Sequence, residues 1–339
     1  MANESPLVPT FIPPLALMLG RAEQLKGNPL TEAEVIRIRD DAPCIAMEPD
    51  VAKELAATRD FRDVNPENCW GDWHRLRTQI TGKGYLPKII LCLVGDAGFR
   101  ETAEPVVRAA GVEHEFRGHD PHMERAFRNS AFGLADSFSE EDFANIRSHQ
   151  TALYLLSKNF TAAEAPGVAL AFLRLGCELL DRGAIALKCD SAGISRSHAQ
   201  WAALAESAAT GSPSGDLDAR YAFWSPLFRA FVRYPIQNEG DLYSCGMHLL
   251  GQPDMIVATA LIQKVKPPGS SDVPAVNELF NSFALYLLAE CGAGEFISGH
   301  TFSVDRDSPR FGMNWEPCTG YEEHTFFFNP FGRWRFVEP

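Results

Sequence analysis

The chain has 339 residues, of which 45% are hydrophobic and 22% charged, and its 44 acidic and 31 basic side chains give a formal charge of −13. This balance is typical of a globular protein with a substantial core, so disorder is expected only at the termini and in a few loops. The negative charge disfavours nucleic acid as a partner, because phosphates would be repelled, and it favours encounter with basic proteins.

The cysteines and the N-terminal residues indicate a compartment. Eight cysteines are dispersed along the chain without a C-x-x-C pair, which argues against a disulfide framework and is typical of buried thiols in a reducing cytosol. Residues 1–6 lack the basic region of a signal peptide, and no apolar run approaches the ~20 residues of a membrane span. We therefore expect a cytoplasmic protein with no membrane partner.

Apolar periodicity in the first third of the chain predicts helices and short strands. Thr31 and Glu34 match a capping box, so a helix should begin after Thr31. The clearest buried strand is 88–94, which is apolar throughout most of its length. The predicted helices are 15–26, one from 32, 49–55, one from 66, and 101–110, and the predicted strands are 44–47, 88–94 and 112–116.

Residues 117–137 are polar and irregular, and the pattern strengthens again from Ser139. The later predicted helices are one from 139, 163–181, 197–209 and 276–291. The later predicted strands are 152–156, 184–187, 228–236, 242–249, 255–261, 300–304, 325–328 and 334–337. This order of elements predicts an α+β fold in which helices cover mixed sheets. We expect two subdomains, 1–120 and 138–339, with a linker at 121–137.

The densest polar segment, 113–124, contains three histidines and four carboxylates. Such residues can bind zinc or another divalent ion, and a site that includes His119 and His122 would suit a metal-dependent hydrolase. However, the histidine spacings of five and three match no standard metal-binding helix, and Gly118 and Pro121 indicate a loop. The hydrolase therefore stays an alternative, and we expect no metal and no cofactor.

Two other segments resemble catalytic motifs only in outline. The turn 95–98, which contains Asp96, lacks the third glycine of G-x-G-x-x-G and the Gly-Lys-Ser/Thr of a P-loop. The segment 193–197 lacks the second glycine of a G-x-S-x-G nucleophile elbow, and its Ser197 is better interpreted as a helix N-cap. We therefore predict no catalytic residue.

Four pairs of acidic residues lie in predicted loops and are the candidates for contact with a partner. Exposed carboxylates around a few aromatic anchors would suit a basic protein surface. The candidate partner-binding residues are Asp216, Asp218, Glu239, Asp241, Asp305, Asp307, Glu322 and Glu323.

Several segments resemble a family of uncharacterised bacterial proteins. They are 28–35, 38–41, 63–70, 183–186, 246–254 and 329–334. Proteins of this kind occur among genes associated with secreted toxins, including those of type VI secretion, so the resemblance implies an immunity role. It carries no assignment of functional residues.

Together these observations lead us to expect an immunity-type protein that neutralises a cognate toxin in the cytosol by direct contact. The toxin should present a basic surface, and a nuclease would suit because its substrate groove is basic. Two alternatives stay open: the metal-dependent hydrolase at 113–124, and a regulatory adaptor that differs from the immunity protein only in its partner.

Overall fold

The computed structural model describes residues 7–59, 61–82, 84–131, 138–265, 271–292, 295–323 and 325–339. The chain divides into two compact units, Met1–Tyr85 and Leu86–Pro339. Helices and sheets are both present in quantity, which confirms the predicted α+β class. Of the predicted linker, residues 132–137 lie outside the described residues. Most of its described part is not a linker but a helix, Met123–Ala131, whose Met123 and Phe127 are buried.

The first unit is a small helical bundle with a two-stranded antiparallel sheet. Its elements are β1 (Val8–Phe11), α1 (Leu15–Lys26), α2 (Glu32–Asp41), β2 (Cys44–Met47), α3 (Pro49–Ala57) and α4 (Cys69–Thr81). The buried faces of α1, α2 and α4 meet around the fully buried Trp73, with Leu15, Leu19 and Val35 in the same cluster. Spacings of three and four between apolar residues put these side chains on the inner faces of the helices.

Side-chain caps define where the helices of this unit begin. Thr31 Oγ1 accepts from the Glu34 backbone N–H at 3.4 Å, and the Glu34 carboxylate accepts from the Thr31 N–H at 2.7 Å, so the predicted capping box is present. Asp63 accepts from the backbone N–H groups of Leu15 and Ala16 at 3.1 and 2.7 Å. A carboxylate 47 residues further along the chain therefore caps α1.

The second unit contains the remaining elements, arranged as two sheets with helices. Its strands are β3 (Ile90–Gly95), β4 (Glu113–Arg117), β5 (Thr151–Leu156), β6 (Ala184–Cys189), β7 (Ile194–Arg196), β8 (Arg233–Asn238), β9 (Asp241–Cys245), β10 (Asp254–Ala258), β11 (Thr301–Phe302), β12 (Phe311–Glu316) and β13 (Arg333–Val337). Its helices are α5 (Phe99–Ala110), α6 (Met123–Ala131), α7 (Glu140–Arg147), α8 (Ala165–Asp181), α9 (His198–Ala209), α10 (Leu217–Phe231), α11 (Thr259–Val265) and α12 (Asp272–Leu285). Within the described ranges, no helix has the length and apolar character needed to cross a membrane.

The first sheet has five antiparallel strands in the order β4-β5-β3-β6-β7. The central strand β3 is buried along its whole length, because helices cover both faces. On one face Leu91 and Leu93 share a core with α8, and on the other Cys92 and Val94 share one with α6 and α7. A strand buried on both faces is apolar throughout, which is why this strand was recognisable in the sequence.

The second sheet has six strands in the order β11-β12-β13-β10-β9-β8 and is mixed, because β10 and β13 pair in parallel. Helix α12 packs on one face of it, where Phe283 lies 5.2 Å from Phe336 between ring centroids. The opposite face carries polar residues, including Asp241, Arg333 and Arg335. Because side chains alternate along a strand, one face is the core and the other meets solvent over part of its area.

Several predicted strands of this unit are wrong in whole or in part. Residues 247–249 of the predicted strand 242–249 lie in a 3₁₀ turn, and residues 259–261 of the predicted strand 255–261 belong to α11. Residues 228–231 belong to α10, and only Arg233–Asn238 is a strand. Residues 325–328, predicted as a strand, are turns. Helix α10 as a whole and strand β12 are among the elements that the sequence did not predict.

Candidate functional site

Three of the four acidic residues of segment 113–124, Glu113, Glu115 and Glu124, pair with basic side chains. Strand β4 places Glu115 and Arg117 side by side, and the two form an exposed ion pair at 2.8 Å. Glu124 accepts from Arg128 at 2.9 Å and is also paired with Arg147. These two guanidinium groups lower the pKa of the Glu124 carboxyl to about 2.

The histidines of the same segment do not converge on a common point. His119 Nδ1 donates to the backbone oxygen of His149 at 2.8 Å. The buried His149 Nε2 accepts from the Asp120 N–H at 3.1 Å, and its Nδ1 donates to the Ile146 oxygen at 2.7 Å. Over the described ranges no cluster of three or more His, Cys, Asp or Glu is placed to hold a metal ion. The geometry therefore gives the hydrolase alternative no support.

The other motif-like segments have structural roles. Asp96 Oδ1 accepts from the N–H groups of Gly98 and Phe99 at 2.9 and 3.0 Å, at the start of α5. Ser197 is the N-cap of α9 in a capping box with Gln200, as predicted. Ser195 is buried, with its hydroxyl 3.0 Å from that of Ser130.

Four of the eight cysteine thiols, those of Cys69, Cys92, Cys189 and Cys245, are buried. Burial raises the pKa of the Cys92 thiol to about 12, and does the same to Cys189. Such thiols remain protonated at neutral pH and are poor nucleophiles.

Two segments named in the resemblance, 246–254 and 329–334, meet in a buried polar cluster around Asp254. Its carboxylate accepts from Ser244 Oγ at 2.9 Å, Met247 N at 3.2 Å and Asn329 Nδ2 at 2.7 Å. Burial raises the pKa of the Asp254 carboxyl to about 6. Both carboxylate oxygens accept hydrogen bonds within the protein, so this cluster holds the two segments together.

The eight predicted partner-binding acids do not form one surface. Glu239 and Asp241 lie at the turn between β8 and β9, and Asp305 and Asp307 lie in the loop between β11 and β12. The strand register places this turn and this loop at the same end of the six-stranded sheet, about 14–19 Å apart at the usual strand spacing of about 4.8 Å. Glu322 and Glu323 follow β12 and so lie at the opposite end of that sheet.

Several of these acids already have local partners. Asp216 is the N-cap of α10 and accepts from the Ala219 N–H at 2.9 Å. Asp305 accepts from the N–H groups of Asp307 and Ser308 at 2.9 and 2.8 Å, and Asp241 is 3.4 Å from Arg335. The Asp305 carboxylate therefore stabilises the turn that it begins, and the Asp241 carboxylate pairs with a neighbouring arginine.

A groove of about 590 Å³ lies between α10, the C-terminal part of α12 and strand β11. Its volume falls in the range of typical ligand sites. We take this groove as the candidate functional site and call it the α10–α12 groove. Its lining is contributed by Tyr221 of α10, by Asn281, Ser282, Leu285, Tyr286 and Glu290, and by Phe296, Thr301, Phe302, Ser303 and Val304.

Aromatic rings and one carboxylate dominate the chemistry of this groove. The ring of Tyr286 lies 5.8 Å from those of Phe296 and Phe302, so the three form one aromatic wall. The Tyr221 hydroxyl donates to the Glu290 carboxylate. Burial and this carboxylate raise the pKa of Tyr221 to about 12, so the phenol remains a donor at neutral pH.

The backbone of the groove contains an irregular turn. Residues Tyr286–Glu290 form a π-helical turn that continues α12, and Cys291 N donates to Tyr286 O at 2.8 Å where it ends. π turns are rare in proteins as a whole, and those that occur are often located at functional sites. The sequence predicted one uniform helix over 276–291, because a π turn has no clear signature in apolar periodicity.

Four of the predicted acids are close in the chain to residues that line this groove. Asp218 precedes Tyr221 by three residues on α10, so the two side chains are neighbours on one helix face. Asp216 lies just before α10, and Asp305 and Asp307 follow closely after Val304. Arg306 stands between the last two, so that loop is mixed in charge. Of the residues that line the groove, the sequence analysis singled out neither the aromatic wall nor Glu290.

Comparison of the chain with protein-family models, with curated proteins and with solved structures gives no significant match.

Proposed function

We propose that the chain is an immunity-type binding protein that accepts a basic segment of a toxin in the α10–α12 groove. The observation that carries the proposal is the lining of the groove, which contains a carboxylate and four aromatic rings and, among the described residues, no lysine or arginine. A lysine or arginine of the partner could pair with Glu290 while its charge lies against the ring of Tyr286 or Phe302.

Longer-range electrostatics favour the same class of partner. The formal charge of −13 attracts basic proteins and accelerates encounter with them. The exposed Asp218, which precedes Tyr221 by three residues on α10, would contribute mainly to the association rate, since exposed charges near an interface act through steering. The immunity role itself rests on the resemblance described above, and an adaptor with a basic partner would use the same groove.

The test is co-expression with the toxin encoded by the adjacent gene, followed by co-purification, an assay of toxin activity and a cell-protection assay. We expect a stable complex and loss of toxin activity. Glu290→Gln should raise Kd about tenfold or more, because a charge-assisted hydrogen bond contributes about 1.5–3 kcal/mol. Tyr221→Phe should raise it by about 2- to 10-fold, because the Glu290 carboxylate loses the hydroxyl that holds it in position.

Glu101→Gln is the matched control, because it removes the same charge from an exposed position on α5, outside the groove. It should change Kd less than about twofold, and all three variants should keep the wild-type Tm within about 2 °C, as expected for surface substitutions. Absence of any complex, together with absence of protection, would refute the immunity role. Protection that is equally strong with Glu290→Gln would refute the groove as the contact site.

A further inference from the structure

A second recess lies between α9 and α10. It has a volume of about 170 Å³, and its polar lining consists of Arg196, Gln200, Ser207, Ser225 and Arg229. Ser225 and Arg229 lie on α10 four and eight residues after Tyr221 of the α10–α12 groove. The recess is therefore distinct from that groove, with a centre displaced along the same helix.

Arg196 is unusual because it is charged, buried and not paired with an acid. Only 9% of its surface is exposed. Its Nε donates to the backbone oxygen of Arg229 at 2.7 Å, and among the described residues no ion pair joins its guanidinium to a carboxylate. Burial and the neighbouring Arg229 lower the pKa of Arg196 to about 10, so it still carries its charge at neutral pH.

A buried cation without a counter-charge is costly to fold. Removing a charge from water costs several kcal/mol unless an opposite charge and further hydrogen bonds compensate it. The chain has 13 more acidic than basic residues, yet no acid of the described residues pairs with this guanidinium. Arg229, which is exposed, adds a second positive charge at the mouth of the same recess.

We infer that the recess between α9 and α10 is a binding site for a tetrahedral oxyanion of the phosphate class. The terminal guanidinium nitrogens of Arg196 supply a planar donor pair of the kind that suits phosphate, and Arg229 supplies a second charge. The hydroxyls of Ser207 and Ser225 are further donors on the two helices that form the walls. The volume admits one phosphoryl group, and because the recess is open to solvent that group can belong to a free phosphate or to a larger molecule.

The test uses the full chain and inorganic phosphate as the probe. Phosphate is titrated by calorimetry at pH 7 and constant ionic strength, and Tm is measured in phosphate and in chloride of equal ionic strength. We expect saturable binding of one phosphate per chain and a higher Tm in phosphate than in chloride. Arg196→Gln should abolish the binding, and Arg229→Gln should raise the Kd at least about tenfold.

Arg310→Gln is the control, because it removes the same charge from an exposed arginine outside the recess; its phosphate affinity should equal that of the wild type. If Arg196→Gln does not fold, the exposed Arg229→Gln decides the question. Equal Tm in phosphate and chloride would overturn the inference, and so would wild-type phosphate affinity in Arg229→Gln. Sulfate and a nucleoside monophosphate, titrated in parallel, distinguish a site for free oxyanions from one for a phosphorylated ligand.

Discussion

Replacement of Asn329 by alanine should destabilise the second unit more than most single substitutions. Asn329 is 1% exposed, and its side chain makes three hydrogen bonds. Its Nδ2 donates to Asp254 Oδ2 at 2.7 Å and to the Gln252 backbone oxygen at 3.0 Å, and its Oδ1 accepts from the Phe331 N–H at 2.9 Å. The side chain thus connects the segment before β10 with the segment before β13.

The expected magnitude follows from these three bonds. At pH 7.5 the Asp254 carboxyl is ionised, because this pH lies above its pKa of about 6. Its bond to Asn329 is therefore charge-assisted and contributes about 1.5–3 kcal/mol, while each of the two neutral bonds contributes about 1 kcal/mol. Asn329→Ala should lower the free energy of unfolding by about 3–5 kcal/mol, a large fraction of the roughly 5–15 kcal/mol typical of native proteins.

Equilibrium urea denaturation of the wild type and of Asn329→Ala, followed by circular dichroism, measures this difference. Each unit is fitted separately where two transitions are resolved. Asn314→Ala is the matched control, because Asn314 is exposed on β12; it should change stability by less than about 0.5 kcal/mol. At pH 5 the cost of Asn329→Ala should be smaller, since Asp254 is then mostly protonated. A cost below about 1 kcal/mol at pH 7.5, or one that is the same at both pH values, would contradict the argument.

Three further predictions use the same denaturation assay. Because the pKa of the Asp254 carboxyl is raised, the folded chain keeps a proton that the unfolded chain releases between about pH 4 and 6. The free energy of unfolding should therefore fall as the pH rises through this window, by about 2–3 kcal/mol relative to Asp254→Asn. Gly246→Ala should lower the free energy of unfolding by more than about 3 kcal/mol, since the added Cβ would overlap the Phe231 backbone oxygen. Gly240 also has a positive φ but has open space around it, so Gly240→Ala should lower the free energy of unfolding by only about 1–2 kcal/mol. His149→Ala should lower the free energy of unfolding by about 2–4 kcal/mol, because two buried hydrogen bonds are lost. The exposed His122→Ala should lower it by less than about 0.5 kcal/mol, and a chelator should not change the Tm of either variant.

Elements with strong local signals could be predicted from the sequence. Helix α1 has its predicted bounds, and the caps Thr31, Ser139 and Ser197 begin the helices assigned to them. In each case the signal lies within four or five residues, where a side-chain oxygen satisfies free N–H groups of the first turn. The buried strand β3 was recognisable because both of its faces are apolar.

Elements with conflicting local signals could not be predicted. Helix α10 contains Pro226 and ends in the segment 227–232, which is apolar except for Arg229 and by itself favours a strand. Tertiary packing stabilises the helical conformation of this segment, because α8, α9 and α12 all contact α10 and cover it on several sides. Phe228 and Phe231 are both buried there, which a helix achieves by presenting them to these neighbours. Strand β12 was missed because its pairing partner, β13, lies further along the chain.

The amino-acid sequence determined the class of the fold, the starts of several helices and the acidic character of the chain, since each depends on composition or on neighbours a few residues apart. Only the tertiary structure decided which side chains share a site. Glu290 meets Tyr221 across 69 residues, and Arg196 meets Arg229 across 33. Contacts at such separations are made by helix and sheet packing, which local patterns do not encode, so both recesses became visible only in the folded chain.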